Sequence, residues 1–415
     1  MNTGAPMAAL DGLRILDMTQ FEAGTSCTQA LAWLGADVVK IEAPGTGDPG
    51  RGAGLTANKA YSDYFCAWNA NKRSVALDLR TERGRAVFME LVPKFDVFVE
   101  NYGPGVIERL NIGYDVLKAA NPGLIYARIK GFGTWGPWAD FRCMDMVAQA
   151  AGGAFSITGE PDGPPMMPGT TTGDSGAGTQ MGMAILAAYV QKLRTGEGQE
   201  IEVSMQEAVA YHVRTRAYMG SAWGTRATPR AGNSGGRPPV DLFACHPFGA
   251  NDYIYLMPIT DGHWDRLCAA IERPELLIDP RFQTAQARAE NGEALSAEIS
   301  RWCSDRTKYQ AMETIAGAGV PCGACLDTSE LYHHPHLRAR GFVHEMELPV
   351  HGKVPMLGFA PRLSASNVEM LAPPLLGQHT DEVLAAELGL SDEDLTDMRS
   401  SGVIGESVSH AQAHG

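Results

Sequence analysis

The sequence lacks a surplus of positive charge. It contains 34 Lys and Arg residues against 48 Asp and Glu residues, which gives a formal net charge of -14 at pH 7. Proteins that bind nucleic acids neutralise phosphates with clustered Lys and Arg, and this chain has no basic run. We therefore expect no nucleic-acid partner, and a site for anions would have to rest on a few local arginines.

Long apolar runs are also missing. The most apolar stretch, Met181 to Val190, is about half as long as the roughly 20 residues that a membrane-spanning helix needs. Residues 1–11 have neither the basic start nor the sustained apolar run of a secretory signal. These features predict a cytoplasmic protein with no membrane partner, in which disulfides are not expected.

Signatures of metal and nucleotide sites are absent as well. The 8 cysteines are scattered except for the pair Cys322 and Cys325, which has no second Cys or His pair at matching distance. His333, His334 and His336 lack partner ligands in a recognisable pattern. No G-x-G-x-x-G turn follows the first predicted strand, and no phosphate loop of the G-x-x-x-x-G-K-[ST] type occurs. We predict no metal and no NAD, which sets aside a dehydrogenase.

Strand-like and helical patterns alternate through the first third of the chain. Helical segments at 28–34, 82–94 and 114–120 separate predicted strands at 13–17, 35–42, 74–79, 96–100 and 124–130. Strands that alternate with helices predict an α/β fold with a parallel sheet that is covered on both faces.

The length of 415 residues predicts either two compact units or one large unit that carries an insertion. Between Ala222 and Pro239 the composition changes to Gly, Arg, Pro and Ser, which is typical of a mobile loop and a poor core. We interpret this segment as a linker. The predicted organisation is a large domain at 1–221, a linker and small domain at 222–325, and a return to the large domain at 326–415.

Asp174 is the first residue of the longest apolar helical segment, which is predicted from Asp174 to Leu193. The pattern alone favours an N-cap whose side chain accepts backbone N–H bonds. The alternative is a nucleophile, because a carboxylate with an ordinary pKa of about 3.9 is ionised at pH 7 and a helix N-terminus stabilises nearby negative charge. The neighbouring glycines Gly173, Gly176 and Gly178 would let a substrate approach the backbone.

Several segments, in this order, match one known family. They are Leu10 to Asp17, Leu34 to Glu42, Asn71 to Ser74, Val99 to Gly105, Gly173 and Asp174, Thr195 to Gln199, Gly319 to Cys322, and Leu376 to Thr380. Over nearly its whole length the chain resembles the class III CoA-transferases, the family of formyl-CoA transferase and carnitine CoA-transferase.

The resemblance implies a Rossmann-like parallel sheet in the large domain, a smaller α+β domain, and a homodimer of two interlocked chains. It also implies that Asp174 is the nucleophile, which passes through an acyl-aspartyl anhydride and an aspartyl-CoA thioester. Coenzyme A is the expected co-substrate. Its implied contacts are Phe21, Glu22, Ala23, Leu77 to Arg80, Asn101, Tyr102, Gly103, Arg109 and Arg142, among which the arginines suit phosphate groups.

Three departures from formyl-CoA transferase lie near the expected site. Glu22 replaces a Gln, the pair Met144 and Asp145 replaces Tyr-Glu, and Ala43 replaces a basic residue. Glu22 would repel an anionic acceptor unless it is protonated or paired, and whether it binds substrate or tunes protonation stays open. Glu22, Met144 and Asp145 are the expected substrate contacts.

A glycine-rich loop from Gly232 to Gly236 resembles the family's lid over the intermediate. By that resemblance, Gly235 and Gly236 are further expected contacts. Closure of such a lid would exclude water from an anhydride that otherwise hydrolyses.

Two other activities compete with CoA transfer. An acyl-CoA racemase of the same family uses a Gly-His-Asp segment, but here Met144 stands where the His would be, and two-base epimerisation needs that proton carrier. A non-catalytic CoA-binding protein would have lost Asp174. We therefore expect CoA to move from an acyl-CoA to a free carboxylic acid, on one side a small dicarboxylate such as oxalate or succinate.

Overall fold

The computed structural model describes residues 7–55, 61–235 and 237–406. Contacts divide the chain into two compact units. The first comprises Met1–Ala154, Met167–Met219 and Ala339–Gly415, and the second comprises Phe155–Met166 and Gly220–Arg338. The main segment of the second unit runs from Gly220 to Arg338, compared with the expected 222–325, and the short segment 155–166 also belongs to this unit.

A six-stranded parallel sheet forms the centre of the first unit. Its strands, in chain order, are β1 (Arg14–Met18), β2 (Asp37–Glu42), β3 (Lys72–Ala76), β4 (Val97–Glu100), β5 (Ile125–Lys130) and β6 (Glu200–Ser204). Their order in the sheet is β3-β2-β1-β4-β5-β6, with Leu16 of β1 between Val39 of β2 and Phe98 of β4. This is the doubly wound Rossmann order, and the predicted α/β fold class is confirmed.

Helices cover both faces of this sheet. Successive residues of a strand point to opposite faces, and here both sets are apolar, so both faces need a covering layer. Leu16 and Phe98 belong to one buried apolar cluster, and Ile15 and Val97 belong to the other. The helices of this part of the chain are α1 (Ala23–Ala32), α2 (Asp63–Asn69), α3 (Glu82–Leu91), α4 (Val106–Arg109), α5 (Tyr114–Ala120), α6 (Asp145–Ala151), α7 (Ala154–Ile157), α8 (Ser175–Thr195) and α9 (Met205–Gly220). Short 3-10 helices lie at Pro49–Gly52 and Val92–Lys94.

The second unit has a three-stranded antiparallel sheet with the order β7-β8-β9. The strands are β7 (Asp241–Ala244), β8 (Tyr253–Leu256) and β9 (Cys322–Ala324). Its helices are α10 (Asp261–Ala270), α11 (Ala285–Glu290), α12 (Gly292–Cys303), α13 (Lys308–Gly317), α14 (Glu330–His333) and α15 (Pro335–Ala339), with a 3-10 helix at Pro274–Leu277. Helices α10, α12 and α13 bury apolar residues in one cluster with this sheet, and threonine side chains cap α10 (Thr260) and α13 (Thr307).

The chain after 339 returns to the first unit and covers the outer edge of β3. It forms a hairpin of β10 (Val343–Leu348) and β11 (Gly352–Leu357), then α16 (Thr380–Leu388) and α17 (Asp392–Ser400). The His379 amide donates to the Ser74 carbonyl at 2.9 Å, and the Ala76 amide donates to Thr380 Oγ1 at 3.0 Å. This segment satisfies backbone groups that an open sheet edge would leave unpaired.

None of the helices in the described ranges combines the length and the apolar character that crossing a bilayer requires.

Candidate active site

A cavity of about 590 Å³ opens where the sheet changes direction, at the carboxyl ends of β1 and β4. Open α/β sheets bind ligands at this switch point, since the loops after the two strands diverge there. The residues that line the cavity all belong to the first unit. They include these predicted site residues: Phe21, Ala23, Asn101, Tyr102, Gly103, Arg109, Arg142, Met144 and Asp174.

The turn between β1 and α1 is held from two sides. Asn101 Oδ1 accepts the Gln20 amide at 2.7 Å, and Asn101 Nδ2 donates to the Gln20 carbonyl at 2.8 Å. The Phe21 amide donates to Asp48 Oδ1 at 3.0 Å. Phe21 has a φ of +56°. Residues other than glycine rarely adopt this left-handed backbone conformation, and it persists where the surrounding structure enforces it. These bonds therefore fix the chain that leads into Glu22 and α1.

Buried ion pairs lie beneath this turn. Lys40 Nζ lies 3.0 Å from Asp48 Oδ2, and Lys72 Nζ lies 3.0 Å from Asp17 Oδ2. Burial opposes ionisation of Asp17, but the two ammonium groups, together with hydrogen bonds from the Thr19 and Thr28 hydroxyls, lower the pKa of Asp17 to about 2. Removing one member of such a pair would leave an uncompensated buried charge and would strongly destabilise the fold around the turn.

Asp174 stands directly before α8, and its side chain does not cap that helix. Its φ and ψ of -85° and -74° are already helical, whereas a capping residue is normally extended. Its own amide donates to Asp145 Oδ1 at 3.0 Å, and the Gly173 amide donates to the same oxygen at 2.8 Å. Among the described residues no donor binds the Asp174 carboxyl. The capping interpretation was wrong, and the carboxyl is available to a ligand in the cavity.

The Asp174 carboxyl lies in surroundings that oppose its ionisation. Burial, followed by the nearby charges of Glu22 and Asp145, raises the pKa of Asp174 to about 7. The expectation of an ordinary carboxylate therefore needs correction, since the ionised form of Asp174 is much less favoured near neutral pH than that of a free aspartate. Because its pKa is raised, the ionised Asp174 carboxylate is a stronger base and a stronger nucleophile than an ordinary aspartate.

Glu22 ends the turn before α1 and is buried. Its Oε1 accepts a hydrogen bond from Thr171 Oγ1 at 2.5 Å, and Thr171 belongs to the turn that leads into Asp174. Burial raises the pKa of Glu22, and the Asp145 charge raises it further, while the Thr171 bond acts in the opposite direction. Glu22 lies behind the cavity wall, between the lining residues Phe21 and Ala23.

Helices α1 and α8 pack closely at their N-terminal ends. A Cβ atom on Gly178 would lie 2.5 Å from the Ala23 carbonyl oxygen, so the contact requires glycine. Within the described residues, the amides of Gly176 and Ala177 have no acceptor, as is usual in the first turn of a helix. Amides without acceptors in the first turn of a helix favour negative charge nearby, although neither Gly176 nor Ala177 is among the residues that line the cavity.

Arg109 and Arg142 supply the cavity with unpaired positive charge. Both line it, both are exposed, and neither forms an ion pair with any described residue. Lys130 also lines the cavity, but its ammonium group is bound to Glu100 and to the Tyr102 carbonyl. The two arginines are therefore the groups that could bind the phosphates of a nucleotide-like substrate.

Some predicted contacts lie away from the cavity lining. Arg80 pairs with Asp78 at 2.8 Å on the surface, and Leu77 is buried beside Ile404. Gly235 belongs to the second unit, where its amide donates to the Val240 carbonyl at 3.1 Å. Gly236 lies outside the described residues. The role of this loop as a lid stays a prediction.

Sequence reasoning missed several lining residues, among them Gln20, Tyr64, Phe141 and Cys143. Gln20, Phe141 and Cys143 adjoin predicted contacts in sequence, and that adjacency could have identified them. Tyr64 reaches the cavity from α2, which carries no sequence signal of a site. In the described part of the chain, no cluster of three or more His, Cys, Asp or Glu residues is arranged to hold a metal ion.

The sequence profile of CoA-transferase family III matches residues 10–380. The chain belongs to this family. It is 42% identical over 409 residues to the formyl-CoA:oxalate CoA-transferase of Streptomyces avermitilis, which covers 95% of this chain and 99% of that protein. The enzyme with the same name from Streptomyces coelicolor is 42% identical over 410 residues, again covering 95% and 99%.

Solved structures agree with this assignment. A CAIB/BAIF family protein from Brucella suis superposes with a TM-score of 0.82 at 30% identity, over 92% of this chain and all of that one. Rv3272 from Mycobacterium tuberculosis superposes with a TM-score of 0.77 at 28% identity, over 91% and 99%. The resemblance found in the sequence motifs is confirmed. The protein is a CoA-transferase, an enzyme that uses coenzyme A as co-substrate together with acyl-CoA and carboxylate substrates.

Proposed function

We propose that this CoA-transferase moves CoA from formyl-CoA to oxalate through covalent intermediates on Asp174. The observation that carries the proposal is the Asp174 carboxyl, which lines the cavity, directly precedes the N-terminus of α8, and accepts no hydrogen bond from any described residue. The names of the Streptomyces relatives support formyl-CoA as donor and oxalate as acceptor.

The donor half of the reaction takes two steps. A carboxylate oxygen of Asp174 attacks the thioester carbonyl carbon, the C–S bond breaks, and the CoA thiolate leaves with the bonding electrons. The product is an acyl-aspartyl anhydride. The thiolate then attacks Cγ of Asp174, and the donor acid leaves as its carboxylate, so that Asp174 becomes an aspartyl-CoA thioester.

The acceptor half reverses this order. A carboxylate oxygen of the acceptor attacks Cγ of Asp174 and expels the CoA thiolate, which forms a new anhydride. The thiolate attacks the acceptor's acyl carbon, and Asp174 leaves as a carboxylate. No proton is consumed over the cycle, so the route needs no separate base.

Each attack places negative charge on a carbonyl oxygen, and the Gly176 and Ala177 amides at the start of α8 are suited to stabilise it. Removal of one such donor typically costs about 10²–10³ in rate. The CoA phosphates would be bound by Arg109 and Arg142, the lining arginines without ion-pair partners in the described chain.

The covalent route is tested by replacing Asp174 with Ala. Incubation with formyl-CoA and measurement of intact protein mass should show an added CoA or formyl group on the wild-type enzyme and none on D174A. Exchange of labelled formate into formyl-CoA should fall by more than about 10³, since the nucleophile is lost. D140A removes an exposed carboxyl next to the cavity-lining Ala139 and Phe141, and it should behave like the wild type. Substantial exchange by D174A would exclude the covalent mechanism.

We also propose that the chain forms the interlocked homodimer implied by its family. Exposed large apolar side chains on α8 and α9 support this, because monomeric proteins rarely expose such surfaces. They are Met183, Val190, Leu193, Tyr211, Tyr218 and Met219. Sedimentation equilibrium should give a mass of twice 44.5 kDa, and a monomeric mass at micromolar concentration would contradict the proposal.

A further inference from the structure

The reacting carboxyl has acidic neighbours. Glu22 and Asp145 both act electrostatically on Asp174, and the Tyr64 hydroxyl also interacts with these groups. Among the described residues, no Lys or Arg forms an ion pair with Glu22, Asp145 or Asp174. An acid acceptor is itself an anion, so its approach to this site is opposed by charge of the same sign.

When the acceptor arrives, the electrostatic repulsion that it encounters comes mainly from two residues. In the aspartyl-CoA form of the proposed cycle, Asp174 is esterified to sulfur and carries no charge. The acceptor then approaches the carboxyl groups of Glu22, which precedes α1 behind the cavity wall, and of Asp145, which begins α6. Tyr64 of α2 and Cys143 line the cavity as further titratable groups, and Asp48, which accepts the Phe21 amide, also acts on Tyr64.

Glu22 and Asp145 differ in how they are bound. The Asp145 carboxyl accepts N–H donors from Gly173, Asp174 and Gln149, at 2.8, 3.0 and 2.8 Å. The Glu22 carboxyl accepts one hydrogen bond, from Thr171, and only 4% of the residue is exposed. Burial with a single donor favours the protonated form of Glu22, and its raised pKa agrees with this geometry.

We infer that Glu22 is an electrostatic gate for the acceptor: the acid reacts with the thioester enzyme when Glu22 carries a proton, and ionised Glu22 excludes it. The inference rests on the proposed function. Glu22 would then determine which acceptor charge the enzyme accepts. As pH rises, ionised Glu22 would disfavour dianions such as oxalate more strongly than monoanions such as formate.

The test compares wild type with E22Q, which keeps the size of the side chain and removes its charge. We would measure kcat/KM for oxalate from pH 5.5 to 8.5, with the CoA donor saturating, and repeat the series with formate as acceptor. In the wild type, kcat/KM for oxalate should fall by up to about tenfold per pH unit above the pKa of Glu22, and formate should fall less. E22Q should lose this fall and exceed the wild type at pH 8.5 by about tenfold or more.

A second pair of variants acts through the hydrogen bond to Glu22. T171V removes the donor that favours the ionised carboxylate, so the fall should move to higher pH, whereas T171S keeps a hydroxyl and should retain the wild-type profile. This pair decides the question even if E22Q does not fold. A gain of activity at high pH is also not an effect that structural damage produces.

The outcomes separate the two proposals. If CoA reaches oxalate and formate but E22Q keeps the wild-type pH dependence, the gate is excluded and the transfer reaction stands. If T171V leaves the profile in place, the gate is likewise excluded. If no acid accepts CoA from the wild-type enzyme, the proposed function itself fails, and the gate fails with it.

Discussion

At the scale of single residues, the site depends on the carboxyl group of Asp174, whose ionised form is destabilised by its surroundings. Asp174 has neither the hydrogen bonds of a helix cap nor an ion-pair partner in the described chain. Functional sites often contain such groups, because the same desolvation that costs folding free energy makes a nucleophile more reactive. Two predictions follow from the direction of its pKa shift.

The first concerns stability. A carboxyl whose pKa is raised on folding stabilises the fold below its unfolded pKa of about 3.8 and loses that contribution as pH rises towards 7. D174N removes the titration, so its free energy of unfolding should exceed that of the wild type by an amount that grows from pH 4 to 7 and is constant above. We expect a plateau on the order of 1–3 kcal/mol, measured by urea unfolding. A variant less stable than wild type at pH 8 would contradict this.

The second concerns the rate of covalent modification. Only the ionised carboxylate attacks, so the single-turnover rate of Asp174 acylation should rise about tenfold per pH unit below 7 and level off above it. Rapid quenching and intact-mass measurement from pH 5 to 9 would record the profile. A rate that is constant from pH 5 upwards would show that the carboxyl titrates as an ordinary aspartate.

The sequence could locate Asp174 and most residues around it, because they lie in short segments that resemble the family's motifs. It could not reveal the protonation of the site. The pKa of Asp174 depends on Glu22 and Asp145, which are distant in the chain and meet it only through the packing of α1, α6 and α8. Nor could it reveal that Arg80 is neutralised by Asp78 while Arg109 and Arg142 are not.

At the scale of elements, the site is set by the contact between α1 and α8. Both helices begin at the cavity and cover the same face of the sheet. Their close approach carries Glu22 and Asp174 together. Small residues along both helices permit it, and at Gly178 a Cβ atom would overlap the backbone of α1.

Replacement of Gly178 by Ala should therefore weaken this contact. The new Cβ would meet the Ala23 carbonyl oxygen at 2.5 Å, a backbone atom that cannot move without shifting α1. We expect a loss of about 1–3 kcal/mol in the free energy of unfolding and a lower rate of Asp174 acylation.

Gly182, one turn later on the same helix, provides the matched control. A Cβ there would lie 3.9 Å from Cys27 Sγ, an ordinary van der Waals distance. G182A should leave acylation intact and raise stability by up to about 1 kcal/mol, because Ala favours helix more than Gly. Equal effects of the two substitutions would show that the close approach at Gly178 is unimportant.

Helix α8 was predicted nearly to the residue, whereas α1 was placed at 28–34 and begins at Ala23. The segment from Ala23 to Thr28 is rich in Gly, Thr, Ser and Cys, which have low helix propensity, and it is helical because it is buried between β1, β4 and α8. Tertiary packing overrode local preference. Helix α9 and the β10–β11 hairpin were not predicted, since neither has a strong periodic pattern.

At the scale of the molecule, the first unit is assembled from distant parts of the chain. The residues from 376 to 380, which form one of the family motifs, bind the edge of β3 and are not among the residues that line the cavity. Buried Thr380 is central here, because its Oγ1 accepts the Ala76 amide and donates to the Gly377 carbonyl at 2.8 Å.

Substitution of Thr380 by Val should destabilise this connection. The Ala76 amide would lose its acceptor inside the protein, which typically costs about 1–3 kcal/mol. T380S keeps the hydroxyl and should cost less than about 1 kcal/mol. Thermal unfolding of the two variants would distinguish them, and T380V with wild-type stability would show that the edge contact contributes little.

The covered edge of β3 also bears on how the protein is made. During synthesis the six strands of the sheet are complete at Ser204, but the residues that cover β3 begin near 376. At about 5–20 residues per second, a ribosome leaves this edge open for roughly ten seconds or more. An open edge can pair with another nascent chain. We therefore expect the newly made enzyme to depend on chaperones, or on slow translation, until its last residues emerge.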